Sequence, residues 1–152
     1  MRYLALIIIL FAGHGLSAQK MSYKGFPSLV WPKLYDINFT KGRDGLGEFE
    51  KPVFSESVKS LENKSIVLPG YMVPLENETS SNRIMLSSLP LNACFFCGVG
   101  GPETVVEVRL NKKTTFIDKP IEVKGVLKLN DDDPDQMIYV LEDAEVLGTI
   151  DF

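Results

Sequence analysis

From residue 64 onward the chain is a series of short β-rich runs separated by turn residues, and that rhythm restricts it to a small all-β architecture. The run at 121–130 (IEVKGVLKLN) alternates most cleanly. Ile121, Val123, Leu127 and Leu129 fall on one face, Glu122, Lys124 and Lys128 on the other, and Gly125 marks an expected bend. The run at 104–110 sets Val106, Val108 and Leu110 against Glu107 and Arg109. Runs at 64–75, 82–89 and 135–148 complete a set of five. Pro69-Gly70, in the middle of the first run, signals a bulge or sharp bend of the kind a small closed barrel needs. Five strands with little helix predict a mainly β fold, a five-stranded OB-like barrel over residues 53–152. One short helix is expected over 55–62. There Val53, Phe54, Val58 and Leu61 recur at near-helical spacing, Pro52 and Ser55 suit its start, and Asn63 ends it.

Residues 20–52 carry Gly, Pro and aromatic residues without a sustained period, and read as an irregular N-terminal lead-in. A short strand is expected at 34–40 and a turn cluster at 42–47. Trp31 reads as a core anchor, because a lone Trp is usually buried for its area. The acidic stretch NDDDPD at 130–135 lacks the Gly and distal Glu of a calcium loop and reads as a hairpin turn. Glycosylation sequons begin at Asn38, Asn63 and Asn77 and matter only in a host that modifies exported chains.

The first residues have the three-part layout of a secretory signal peptide: Arg2, an apolar run at 3–12, and a small-residue region at 13–19. The run is too short to span a bilayer, which takes about 20 residues. Cleavage is expected after Ala18 or Gln19. It makes 1–19 a removed leader and the mature protein periplasmic or secreted, with no stable membrane anchor. The only histidine, His14, leaves with it. The formal charge of −4 becomes about −5 once Arg2 is lost. An acidic exported domain is a poor fit for nucleic acid, which selects a basic face.

Cys94 and Cys97, the only cysteines, lie in the connection between the second and third barrel strands. Gly98, Gly100, Gly101 and Pro102 follow them and let the loop present both sulfurs on one side. Outside the cytoplasm such a pair is a thiolate bite for a soft ion, a redox couple or a structural disulfide. Zinc or copper is the expected ion. Two thiolates are half a zinc shell. Glu103 is the nearest carboxylate to add to them, and Met72, Met85 or a partner protomer's pair are further sources. Redox catalysis usually needs a helix N-terminus to acidify the first thiol, and GVGGPE is a poor helix start. A permanent disulfide closing so short a loop contributes little entropy, well below the roughly 3 kcal/mol of a 15-residue loop. Phe95 and Phe96, between the sulfurs, are expected to cap the barrel mouth.

Three segments together resemble a known family: KSLENKSIVLPGYMVPLE (59–76), IMLSSLPLNACFFCGVGGPETVVEV (84–108) and IEVKGVLKLN (121–130). They are similar to the exported bacterial DUF3299 proteins, and more closely to a Bacteroidetes-type branch with a Cys-Phe-Phe-Cys-Gly loop. The larger family carries an Ala-Cys-Ile-His loop followed by prolines. Cys94 matches its cysteine, Phe96 stands where it has histidine, and Cys97 lies one position beyond. The resemblance implies that Cys94 with Cys97 stands in for a Cys-x-His metal pair, and that partners are envelope metal-transport or other periplasmic proteins.

The expectation is an exported barrel that binds or delivers zinc or copper through Cys94, Cys97 and Glu103. A periplasmic thiol–disulfide redox protein and an envelope interaction module with a structural disulfide remain as alternatives. No catalytic residue is assigned. A Ser-His-Asp triad is impossible without a mature histidine, and GVGG lacks the Lys and helix of a phosphate loop.

Overall fold

The computed structural model describes residues 26, 28–43, 47–73 and 80–151. The expected leader at 1–19, with His14, and the sequon at Asn77 lie outside the described residues. Five strands form the barrel: β3 (Ser65–Val73), β4 (Ser80–Ser87), β5 (Val105–Thr115), β6 (Ile121–Leu129) and β7 (Tyr139–Thr149). They close in the order β3-β4-β5-β7-β6. β5 and β7 run parallel and every other barrel pair is antiparallel. This is the expected OB-like barrel.

The alternating residues supply the interior. Ile66, Leu68 and Met72 of β3, Ile84 and Leu86 of β4, and Val106, Val108 and Leu110 of β5 share one cluster with Ile121, Val123 and Leu127 of β6 and Tyr139 and Leu141 of β7. The bend expected at Pro69-Gly70 is where β3 changes partner, pairing with β6 from Ser65 to Gly70 and with β4 from Tyr71 to Val73. The bend expected at Gly125 coincides with a register shift between Lys124 and Val126 against β7.

The lead-in is more ordered than its sequence suggests. Helix α1 (Trp31–Leu34) precedes an antiparallel hairpin of β1 (Ile37–Arg43) and β2 (Glu48–Phe54). The strand expected at 34–40 therefore begins at Ile37, because Leu34 closes a helical turn that Pro32 opens. Trp31 is 2% exposed, as expected of an anchor, and belongs with Leu34 to the barrel cluster. Beside the lower half of β3, where β4 has ended, Trp31 Nε1 donates to the Pro69 carbonyl at 2.6 Å. Tyr139 Oη donates to the Leu34 carbonyl at 2.7 Å. Helix α1 thus occupies a gap that the strands leave.

The hairpin also changes the reading of 52–54. Pro52 sits opposite Phe39 in the two-stranded sheet, and Val53 is exposed there rather than on a helix. Proline is tolerated because such a ladder has free edges. The helix expected over 55–62 is α-helical only from Glu56 to Lys59, forming α2, with a turn at 60–63. Ser55 caps it by accepting from Val58 N at 3.3 Å. Asn63, at φ 59°, ends the turn, and its N–H donates to the Leu127 carbonyl.

Candidate functional site

Residues of β4 and β5 that point away from the barrel interior ought to meet water, yet Met85, Ser87, Val105 and Glu107 are buried. Two connections cover them. The first is the cysteine loop between β4 and β5, and the second is the 130–138 turn between β6 and β7. Val73, Met85 and Val105 form a second apolar cluster, against which Phe95 and Met137 pack from these loops. Phe95 therefore lies on the outer face of β4 and β5, not at the barrel mouth, and Phe96 is half exposed. The expected aromatic cap is corrected on that point. Inward positions were already filled by β-strand side chains and α1, so the loop aromatics found apolar surface outside.

The loop is built from three single 3-10 turns, at Leu91–Ala93, Phe95–Cys97 and Pro102–Thr104. Ser88 clasps its two ends, with N and Oγ both donating to the Thr104 carbonyl at 2.9 and 3.1 Å. Gly98 follows the middle turn at φ 77°, a left-handed conformation that most side chains disfavour. The chain then turns away and leaves Cys97 exposed.

Cys94 and Cys97 are free thiols with their sulfurs 3.7 Å apart. Cys94 is 1% exposed, while Cys97 is exposed and donates to the Leu91 carbonyl at 2.8 Å. The hydrogen bond with Cys94 holds the Cys97 thiol above its ordinary pKa, and lost hydration and the charge of a Cys94 thiolate act in the same direction. Cys94 precedes only one 3-10 turn, too short for an appreciable helix dipole.

The other expected ligands stand elsewhere. Glu103 lies in the third turn with its carboxylate folded against Gly101. Its charge reaches Tyr35 and Tyr139, whose phenols are raised chiefly by burial and further by Glu103. Met72 belongs to the barrel core, and Met85 to the cluster under Phe95. Among the described residues no three His, Cys, Asp or Glu side chains are grouped to hold a metal. The structure therefore brings Cys94 and Cys97 together and leaves Glu103 out of any such group.

Sequence reasoning missed the charged network on the same face. Glu107 is fully buried, and accepts from Arg83 Nε at 3.0 Å, Arg83 Nη2 at 3.2 Å and Arg109 Nε at 3.1 Å. Arg109 also donates to Glu142 at 3.3 Å and to Gln136 at 2.6 Å, and Gln136 donates to Asp133. Asn130 holds this turn together by accepting from Asp133 N and donating to the carbonyls of Asp133, Gln136 and Met137. The network borders an open cleft of about 480 Å³ lined by Asn82, Arg83, Glu107, Arg109, Asp135 and Gln136. With Asp133, Asp135 and Glu142 beside the two arginines, the cleft is not a net positive pocket. Its evident work is to fasten the 130–138 turn, which in turn carries Met137 to the cluster beneath the cysteine loop. The sequence signal was a Glu between Val106 and Val108 with an Arg two residues on, which looks the same as any solvated strand face.

No protein-family model matches the chain, and no curated protein does. Among solved structures it is similar to a DUF3299 family protein from Pseudomonas aeruginosa PAO1, with 24% identity and a TM-score of 0.48. That match covers 62% of this chain and 66% of that one.

Proposed function

We propose that this is an exported protein that binds a soft metal ion, zinc or copper, through the thiolates of Cys94 and Cys97, and passes it to envelope partners. The observation that carries the reading is the 3.7 Å separation of the two sulfurs. Two zinc–sulfur bonds of about 2.3 Å at the tetrahedral angle place their sulfurs about 3.8 Å apart. A disulfide needs about 2.05 Å, so the pair must close considerably to form one. A linear two-thiolate copper(I) ion needs sulfurs on opposite sides of the metal, which makes zinc the better fit of the two.

The surroundings support the same reading. Phe95, between the two sulfurs in the chain, packs on the Val73, Met85 and Val105 cluster and so anchors the loop that carries both sulfurs to the barrel. Cys94, the first thiol of the pair, precedes a single 3-10 turn and lacks the longer helix that acidifies a redox nucleophile, which weakens the rival redox reading. A shell with open positions suits transfer, since an incoming ligand can replace an outgoing one without first stripping the ion.

The test uses the reduced chain from residue 20, titrated with zinc and copper(I) against a competing chelator. Saturable uptake that vanishes in the Cys94→Ser/Cys97→Ser double variant is expected. Failure to take up either ion would overturn the proposal. The redox or structural alternative would then stand if protein from its own compartment has an intact mass two hydrogens below the reduced form.

A further inference from the structure

We infer that two copies of the chain meet through their cysteine loops and complete one four-thiolate site between them, an inference that rests on the metal reading above. A structural zinc shell takes four protein ligands. The whole sequence holds two cysteines and one histidine, and that histidine precedes the expected cleavage point. Among the described residues no His, Asp or Glu side chain joins the pair. The rest of the thiolate shell must come from another molecule.

The surface around Cys97 is suited to a second copy. Leu91, Phe96 and Val99 are 39%, 50% and 69% exposed, all within the loop that carries the sulfurs. No Asp, Glu, Lys or Arg occurs between Arg83 and Glu103. The chain has a formal net charge of −4, so two copies repel one another over most approaches. Across this loop they can meet without opposing like charges. A two-fold axis through the ion sets each patch against itself, which is the isologous contact of ordinary homodimers. Cys94 is buried and Cys97 exposed, so the ion is reached past Cys97.

The step is a ligand exchange without electron transfer. Four S–H bonds break, four metal–sulfur bonds form, and four protons pass to solvent. A divalent ion with four thiolates leaves a centre of formal charge −2. Each Leu91 carbonyl loses the Cys97 hydrogen bond that it accepts in the free protein.

The test uses the reduced chain from residue 20 with cadmium as the probe, because cadmium–thiolate charge-transfer absorbance reports the number of sulfurs per ion. Light scattering reports the mass in the same samples. The expected result is a monomer in chelator. With cadmium the mass doubles, half an ion is bound per chain, and absorbance per ion is about twice that of a two-thiolate standard. Val99→Asp changes an exposed side chain, and is expected to keep two-thiolate binding without the doubling in mass. One ion per wild-type chain with unchanged mass would overturn the shared site and leave the metal reading intact. No cadmium uptake would remove both. A dimer that persists in chelator and in the Cys94→Ser/Cys97→Ser variant would also overturn the shared site.

Discussion

Replacing Glu107 with Gln tests whether the buried charge network holds the covered face of the barrel together. The wild-type carboxylate accepts three hydrogen bonds from guanidinium donors, two from Arg83 and one from Arg109. Glutamine keeps the shape but turns one oxygen into an amide nitrogen, which then faces a donor. Hydrogen bonds to charged groups contribute about 1.5–3 kcal/mol each, and removing one partner of a buried ion pair costs about 3–5 kcal/mol. The upper figure is too large here, because the Arg83 and Arg109 side chains are 52% and 42% exposed and water can take up their freed donors. Glu107→Gln is expected to lose about 2–3 kcal/mol at neutral pH. Burial alone would raise the Glu107 carboxyl, but the hydrogen bonds and charges of Arg83 and Arg109 outweigh it and hold the group below its usual range. Its stabilisation is therefore complete above the unfolded carboxyl value of about 4.3, and is lost as pH falls through the lower native value. The difference between wild type and variant should shrink over the same interval. Urea unfolding of both proteins from pH 7 downward measures it. A gap that does not change with pH, or one below about 0.5 kcal/mol at pH 7, would refute the reasoning. Amide exchange offers a second readout, since residues 130–138 are tied to Arg109 through Gln136 and should open more often in the variant.

Other perturbations follow from the same contacts. Trp31→Phe removes the donor to the buried Pro69 carbonyl and part of the ring, and is expected to cost about 2–4 kcal/mol in thermal or urea unfolding. Gly70→Ala places a methyl group 2.7 Å from Leu86 Cγ and 2.8 Å from the Ser87 carbonyl oxygen, so a loss of about 1–3 kcal/mol is expected in the same assay. Metal uptake should strengthen as pH rises, because the ion binds thiolates and the Cys97 thiol is held protonated by its hydrogen bond with Cys94. Chelator competition at several pH values checks this, and a flat profile would point to carboxylate ligands instead.

Much of the barrel was legible because period-two alternation is a local property of the chain. Ile121, Val123 and Leu127 had to share a face wherever the strand went, and they line the interior. Pro69-Gly70 marked its bend in the same local way, since neither residue suits an uninterrupted strand. The β1–β2 hairpin was not legible. Most of its side chains remain exposed, so burial imposes no alternation on EFEKPVF. Nor was α1, a single turn placed by Tyr139 donating to its Leu34 carbonyl and by Trp31 donating to the Pro69 carbonyl.

The candidate site divides along the same line. The sequence alone determined that two sulfurs lie two residues apart in an uncharged, glycine-rich connection, with the one histidine, His14, far from them in the chain. Only the tertiary structure decided that the loop folds back onto the outer face of β4 and β5, burying Cys94 and exposing Cys97. It alone decided that Glu107, one of a row of alternating residues in sequence, is sealed between two arginines. Alternation specifies which residues share a face. It carries no information about what later covers that face, because the cover comes from segments distant in sequence whose contacts exist only once the barrel has closed.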